Sequence, residues 1–148
     1  MQGNTHDWKA GTVEIMTAGK GVMHTEEITE KTDVRILQLW LALSPGKRWT
    51  EPFFQKITLE NVPALRTDNF EIRVYSGSSN GLISPMLNQT PFTLVDFSMK
   101  PNAEARQELP LSYNGFIYVV DGSMWVSGRK VAKEQAAWLD QNSRVTAK

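Results

Sequence analysis

Met16-Thr17-Ala18-Gly19-Lys20-Gly21-Val22-Met23-His24-Thr25-Glu26 is the stretch from which the rest of this chain is read. Two glycines mark a tight turn, and a short apolar run then delivers a histidine and a glutamate two residues apart. Side chains alternate faces along a β-strand, so residues i and i+2 share a face. A strand over Val22–Glu26 therefore aims His24 and Glu26 into one space beside Val22, with Met23 and Thr25 on the other side. An imidazole and a carboxylate converging in this way form half of a metal site with mixed nitrogen and oxygen donors. The same pair also reads as two hydrogen-bonded polar groups at a strand end. Gly19 and Gly21 suit backbone with positive φ. A phosphate cradle is disfavoured, because no helix follows to offer its N-terminus.

The bulk composition is that of an ordinary globular protein. In 148 residues, 16 basic side chains balance 16 acidic ones, and 41% of residues are hydrophobic. Without a surplus of Lys and Arg there is no footprint for nucleic acid or an anionic membrane. The chain has no cysteine, which excludes disulfides, thiolate metal sites and cysteine nucleophiles. No signal-peptide pattern opens the sequence. The longest apolar run, Ile36 to Leu43, is interrupted by Gln38 and is too short to span a bilayer. A cytoplasmic protein without a membrane partner is expected.

Taken in order, the chain reads as short strands separated by Gly, Pro and Asn turns. Thr12–Met16 alternates polar and apolar residues. Arg35–Leu43 is apolar on both faces and predicts a strand buried on two sides. Phe53–Ile57, Phe70–Tyr75, Phe92–Met99, Glu104–Leu109 and Gly115–Val120 are further strand candidates. Thr58–Pro63 has room for one helical turn. Asp121-Gly122 predicts a hairpin turn into Ser123–Val126, and Gly128 turns again. Val131–Leu139 suits either a helix or an edge strand. The whole predicts an all-β sandwich or barrel. Trp40, Trp125 and Trp138 are expected in the core or on sheet faces, Met16 and Met23 in packing, and Trp8 and Trp49 partly exposed.

The opening motif resembles the signature of the pirin family. Further stretches resemble it in the same order: Leu37-Gln38-Leu39-Trp40-Leu41, Glu51-Pro52 with Gln55, and Ser76-Gly77 with Gly81, Ser84 and Pro85. Thr90-Pro91, Leu94–Phe97 and Phe116-Ile117-Tyr118 with Gly122 complete the set. The resemblance implies a pair of cupin domains, each a jelly-roll type double-sheet β-barrel. It also implies a metal, usually iron, in the first barrel on three His and one Glu. His24 and Glu26 fall on the last His and the Glu of that set. The upstream His-x-His pair has no counterpart here, so the chain reads as the end of a first cupin (residues 1–50), a connecting segment (51–69) and the start of a second (70–148).

The resemblance further implies quercetin 2,3-dioxygenase-type chemistry if the site is completed by another chain or by missing residues. Iron is then the cofactor, a flavonol-like small molecule the substrate, and Glu26 the ligand and base. The alternatives are a metal-poor regulatory or interaction module and a truncated remnant. Open sheet edges in such a piece favour self-association. His6 is a weak third ligand candidate, and Glu14 could face the same cavity without ligating. Where a second metal site would lie, Ala105-Arg106-Gln107 supplies no ligand types, so no metal is expected there.

Overall fold

Strand Phe70–Ser76 has the strongest alternation in the chain, and it lies at the centre of the most extensive sheet. In the computed structural model, which describes residues 7–107, 110, 112–139 and 146–147, the regular structure is β apart from one 3-10 turn at Pro45–Lys47. The strands are β1 (Val13–Thr17), β2 (Phe53–Ile57), β3 (Ala64–Arg66), β4 (Phe70–Ser76), β5 (Ser78–Ser79), β6 (Leu82–Ile83) and β7 (Leu94–Met99). They continue as β8 (Ala105–Arg106), β9 (Gly115–Tyr118), β10 (Ser123–Val126), β11 (Arg129–Ala132), β12 (Ala136–Leu139) and β13 (Thr146–Ala147). All their pairings are antiparallel. The chain divides into two compact units, Met1–Asn61 with Met86–Phe92, and Val62–Pro85 with Thr93–Lys148.

The first unit is built on the β1–β2 pair, in register from Val13 opposite Ile57 to Thr17 opposite Phe53. Gln55 of β2 holds the segment that returns at Met86–Phe92. Its side-chain amide donates from Nε2 to the Leu87 carbonyl at 2.7 Å and accepts from the Leu87 N–H at 2.6 Å. One side chain thus supplies the donor–acceptor pair that a neighbouring strand otherwise provides.

The second unit contains the sheet β3–β4–β7. Ile72 and Val74 of β4 face its core and are 1% and 0% exposed. The opposite face carries a charge ladder. Arg66 of β3 lies 2.8 Å from Glu71, Arg73 binds Glu71 at 2.7 Å, and Arg73 also binds Asp96 of β7 at 2.8 Å. Glu71 Oε1 has no aligned hydrogen-bond donor, so Arg66 acts on it as an ion pair alone. A register shift between Val74 and Ser76 makes Tyr75 the extra residue of a bulge. The bulge breaks the two-residue period, so Val74, Tyr75 and Ser76 are all buried in succession. Ser84 donates its hydroxyl to the Tyr75 carbonyl at 2.7 Å.

Burial pushes the Tyr75 phenol above its usual range near 10, and the Asp96 carboxylate adds to the effect. A group with a raised folded-state pKa contributes its full stability below the unfolded pKa and loses it as pH rises through the folded value. Stability is therefore expected to fall above about pH 10. Tyr75→Phe should flatten that fall in urea midpoints measured across the alkaline range. An unchanged alkaline slope in the variant would assign the fall to other groups.

A second cluster closes around Val119, Val126, Val131 and Leu139, with Ile117, Met124 and Ala137 packed against it. β9 pairs with β12, and β10 with β11. This corrects the expected hairpin at Asp121-Gly122. A two-residue type I′ loop needs positive φ at both central residues. Ser127 and Gly128 have φ of 47° and 80°, whereas only Gly122 of the other pair is positive. The hairpin therefore forms at Ser127-Gly128. The ambiguous stretch Val131–Leu139 divides between β11 and β12, with no helix. Thr58–Pro63 is a turn, closed by the Asn61 N–H on the Thr58 carbonyl at 3.1 Å.

Two other expectations are overturned. Val22–Glu26 and Arg35–Leu43 do not form ladder strands, and Arg35–Ala42 is exposed throughout. A strand exists only when a neighbour pairs with it, and no other segment among the described residues does so. Met23 and Trp40 are accordingly 98% and 86% exposed instead of packed. Trp125 and Trp138 do occupy sheet faces, on the solvent side, and Trp138 makes a tilted contact with Phe116 at 5.4 Å.

Candidate metal centre

The turn after β1 is shaped by its glycines. Gly19 and Gly21 have φ of 51° and 125°, and the Gly21 N–H closes the turn on the Ala18 carbonyl at 2.9 Å. The turn docks on Thr50 and Glu51. The Lys20 N–H donates to the Thr50 carbonyl at 3.0 Å, and the Lys20 ammonium pairs with the Glu51 carboxylate. A Cβ at Gly19 would stand 2.0 Å from the Thr50 carbonyl oxygen. Gly19 therefore serves close backbone approach and Gly21, with open space around it, serves its positive φ alone, which explains the Gly-Lys-Gly spacing without a phosphate.

Three residues beyond this turn stands His24. Its Nε2 lies 3.9 Å from Glu26 Oε1, and both side chains are partly exposed. The convergence read from the i, i+2 spacing is present, although no ladder holds it. Two donors that each bind one ion at about 2.1 Å can be no more than about 4.2 Å apart. At 3.9 Å the pair lies within that limit but is wider than the roughly 3.0–3.4 Å that adjacent octahedral or tetrahedral positions have at this bond length, so the two side chains must draw closer to hold neighbouring positions on one cation. The pair does not fit a complete iron site, which draws on about three protein donors. Among the described residues, no group of three or more His, Cys, Asp or Glu side chains is assembled for a metal.

The other candidates lie elsewhere. Glu14 of β1 accepts a hydrogen bond from Trp8 Nε1 at 3.1 Å. His6 is outside the described residues. In the second unit, Gln107 accepts from the Ser79 hydroxyl at 2.6 Å, within a stretch devoid of metal-ligand types. Sequence reasoning missed the supports of the first unit, the Lys20–Glu51 pair and the Gln55 clamp. Both partners of the first are acidic and basic surface types 31 positions apart, and nothing in local spacing links them.

The antiparallel ladders, short turns and near absence of helix among the described residues define an all-β protein, and the matches to known proteins make it a cupin. The Pirin family model matches residues 1–41, and the model of the Pirin C-terminal cupin domain matches residues 94–148. Pirin-like protein 2 of Arabidopsis thaliana is 36% identical over 112 residues, 76% of this chain and 35% of that protein. Pirin of Homo sapiens is 31% identical over 147 residues, 97% of this chain and 51% of its own length. GK1651 from Geobacillus kaustophilus superposes with a TM-score of 0.84 at 34% identity, covering 91% of this chain and 55% of that one. A quercetin 2,3-dioxygenase from Acinetobacter baumannii shares the fold, with a TM-score of 0.76 at 18% identity, over 94% of this chain and 51% of that one. The chain belongs to the pirin family. It spans about half the length, or less, of the curated relatives it matches. No helix among the described residues is long and apolar enough to cross a membrane.

Proposed function

We propose that this chain is a pirin-like cupin piece carrying half of an iron site, with His24 and Glu26 as its two ligands. The observation that carries the reading is their approach to 3.9 Å at the end of the pirin signature. Residues 1–50 are then the end of one cupin, 51–69 the connection, and 70–148 the start of the next.

In this reading the remaining donors come from another chain or from residues outside this sequence, and the completed centre acts on a flavonol-like substrate as a quercetin 2,3-dioxygenase does. Iron, when bound, supplies the redox chemistry with dioxygen. His24 offers a neutral nitrogen donor. Glu26 offers an oxygen donor and, when turned from the metal, a base for the substrate hydroxyl proton. The partly exposed setting of both side chains leaves room for a small molecule beside them.

Two protein donors hold a ferrous ion weakly. Iron(II) titration followed by calorimetry is expected to give one weak site per chain, and His24→Ala and Glu26→Gln should each weaken it about tenfold or more. Equal binding by His24→Ala would remove these residues from the site. Oxygen uptake with quercetin in the presence of iron tests the reaction itself.

A second reading is a metal-poor regulatory or interaction module that keeps the cupin fold. It is favoured by the lack of an assembled group of three ligand side chains among the described residues. Metal-free protein that folds normally and binds no iron would support it.

A further inference from the structure

The dipeptide Asn-Gly occurs twice in the chain, at Asn80-Gly81 and at Asn114-Gly115. Asparagine is a chemically labile residue, and a following glycine makes it most so. The main-chain nitrogen of the next residue attacks the asparagine Cγ, and glycine, lacking a Cβ, hinders that approach least. Attack needs an N–H that is not already hydrogen-bonded, because the nitrogen must give up its proton. It also needs a main chain free to turn that nitrogen onto Cγ. The two copies of the dipeptide differ on both counts.

Asn80 and Gly81 are the central residues of the hairpin between β5 and β6. Their φ values of 50° and 76° are those of a two-residue type I′ loop. The ladder closes with Ser79 opposite Leu82, and the Ser84 N–H donates to the Gly77 carbonyl at 2.9 Å one hydrogen-bonded pair further on. The Gly81 N–H lies outside this ladder and has no acceptor among the described residues. Open space surrounds Gly81, and strands of two residues each restrain the turn only slightly.

Gly115 is the first residue of β9 and lies opposite Leu139 of β12. The Val119 N–H donates to the Gln135 carbonyl at 3.0 Å, and hydrogen-bonded pairs alternate along an antiparallel ladder. Counting back through Ile117 opposite Ala137 makes Gly115 and Leu139 a hydrogen-bonded pair, so the Gly115 N–H is engaged. Leu139 is also a member of the buried cluster around Val119. Turning the Gly115 nitrogen onto Asn114 therefore requires the end of this ladder to open.

We propose that Asn80 is a modification site at which the chain converts its own side-chain amide to a carboxylate, while ladder pairing protects Asn114. The Gly81 nitrogen loses its proton to solvent base and bonds to Asn80 Cγ. The Cγ–Nδ2 bond breaks, and Nδ2 leaves as ammonia. Water then opens the five-membered imide at either of its carbonyls, giving aspartate or isoaspartate. One water is consumed and one ammonia released, and the step needs no oxidant. It is independent of the His24–Glu26 pair.

The setting of the amide gives the conversion a structural consequence. Asn80 Nδ2 donates to Ser79 Oγ at 2.8 Å, and that hydroxyl gives its single proton to Gln107 Oε1 at 2.6 Å. Ser79 is buried. An ionised carboxylate only accepts hydrogen bonds, so the product at position 80 competes with Gln107 for the one Ser79 proton. The isoaspartate form also routes the main chain through the former side-chain carbonyl, which adds an atom to a two-residue loop. Both changes loosen the hairpin and its tie to Gln107.

The experiment follows the full chain over time at mildly alkaline pH, native and in urea, by peptide mass mapping with the converted site assigned by fragmentation. In the native protein Asn80 should convert at least about tenfold faster than Asn114, the ratio that one engaged hydrogen bond supports. In urea the two rates should converge. Asn80→Gly suits the positive φ and carries no amide, so it should abolish the fast conversion. The Ser84 amide should exchange hydrogen faster in aged wild-type protein than in fresh protein, and equally in fresh and aged Asn80→Gly. Equal native rates, or faster conversion at Asn114, would overturn the proposal. So would a rate ratio that persists in urea, which would assign the difference to neighbouring side chains instead of the fold. Unchanged Ser84 exchange after conversion would overturn the loosening of the hairpin.

Discussion

Gly19→Ala is expected to destabilise the first unit by about 3–5 kcal/mol, more than any other single change in the signature turn. Two costs combine. At a φ of 51° the backbone lies in the left-handed region, where a Cβ is strained by about 1–2 kcal/mol. The added Cβ would also stand 2.0 Å from the Thr50 carbonyl oxygen, and a backbone atom cannot swing aside as a flexible side chain can. The turn must lift from Thr50, which breaks the Lys20 N–H bond to that carbonyl and separates Lys20 from Glu51. Gly21→Ala is the matched control. Its φ of 125° is also strained, but open space surrounds the position, so only the conformational cost of about 1–3 kcal/mol applies. Urea midpoints of both variants, with hydrogen exchange at the Lys20 amide, provide the measurement. Equal losses in the two would mean that docking on Thr50 contributes nothing.

Ile72→Ala is expected to cost about 2–5 kcal/mol, because Ile72 is 1% exposed at the centre of the β3–β4–β7 sheet. The loss includes transfer of the removed methyl and methylene groups and the cavity left behind. Neighbouring Val74 is itself fully buried and held in the ladder, so collapse around the gap is restricted. Ile83→Ala serves as the comparison. Ile83 is 76% exposed, and its truncation should change stability by no more than about 0.5 kcal/mol. A midpoint for Ile72→Ala within that same range would contradict the packing of this sheet.

The strands that alternate most cleanly were legible without coordinates. Phe70–Tyr75, Phe92–Met99 and Gly115–Val120 became β4, β7 and β9 with ends moved by a few residues. Local chemistry suffices there, since one apolar face predicts one buried face. The bulge at Tyr75 was not legible, because its extra residue is defined only by the partner strand. Pairing of β9 with β12 in place of β10 was hidden for the same reason. The ordered motifs identified the family, yet several of their residues prove to support backbone: Gly19 against Thr50, Gln55 on Leu87, and Ser84 on the Tyr75 carbonyl.

What the amino-acid order determined alone is the all-β character, the family, and the meeting of His24 with Glu26, which needs only two residues of local geometry. What tertiary structure decided is which extended segments become strands. Arg35–Leu43 has every local qualification for a buried strand, but burial and a ladder are properties of two segments together. Among the described residues nothing pairs with it, so Leu37, Leu39, Leu41 and Trp40 stand exposed. The same dependence on a partner separates a His-Glu pair, which this chain makes, from an iron centre, which needs further donors.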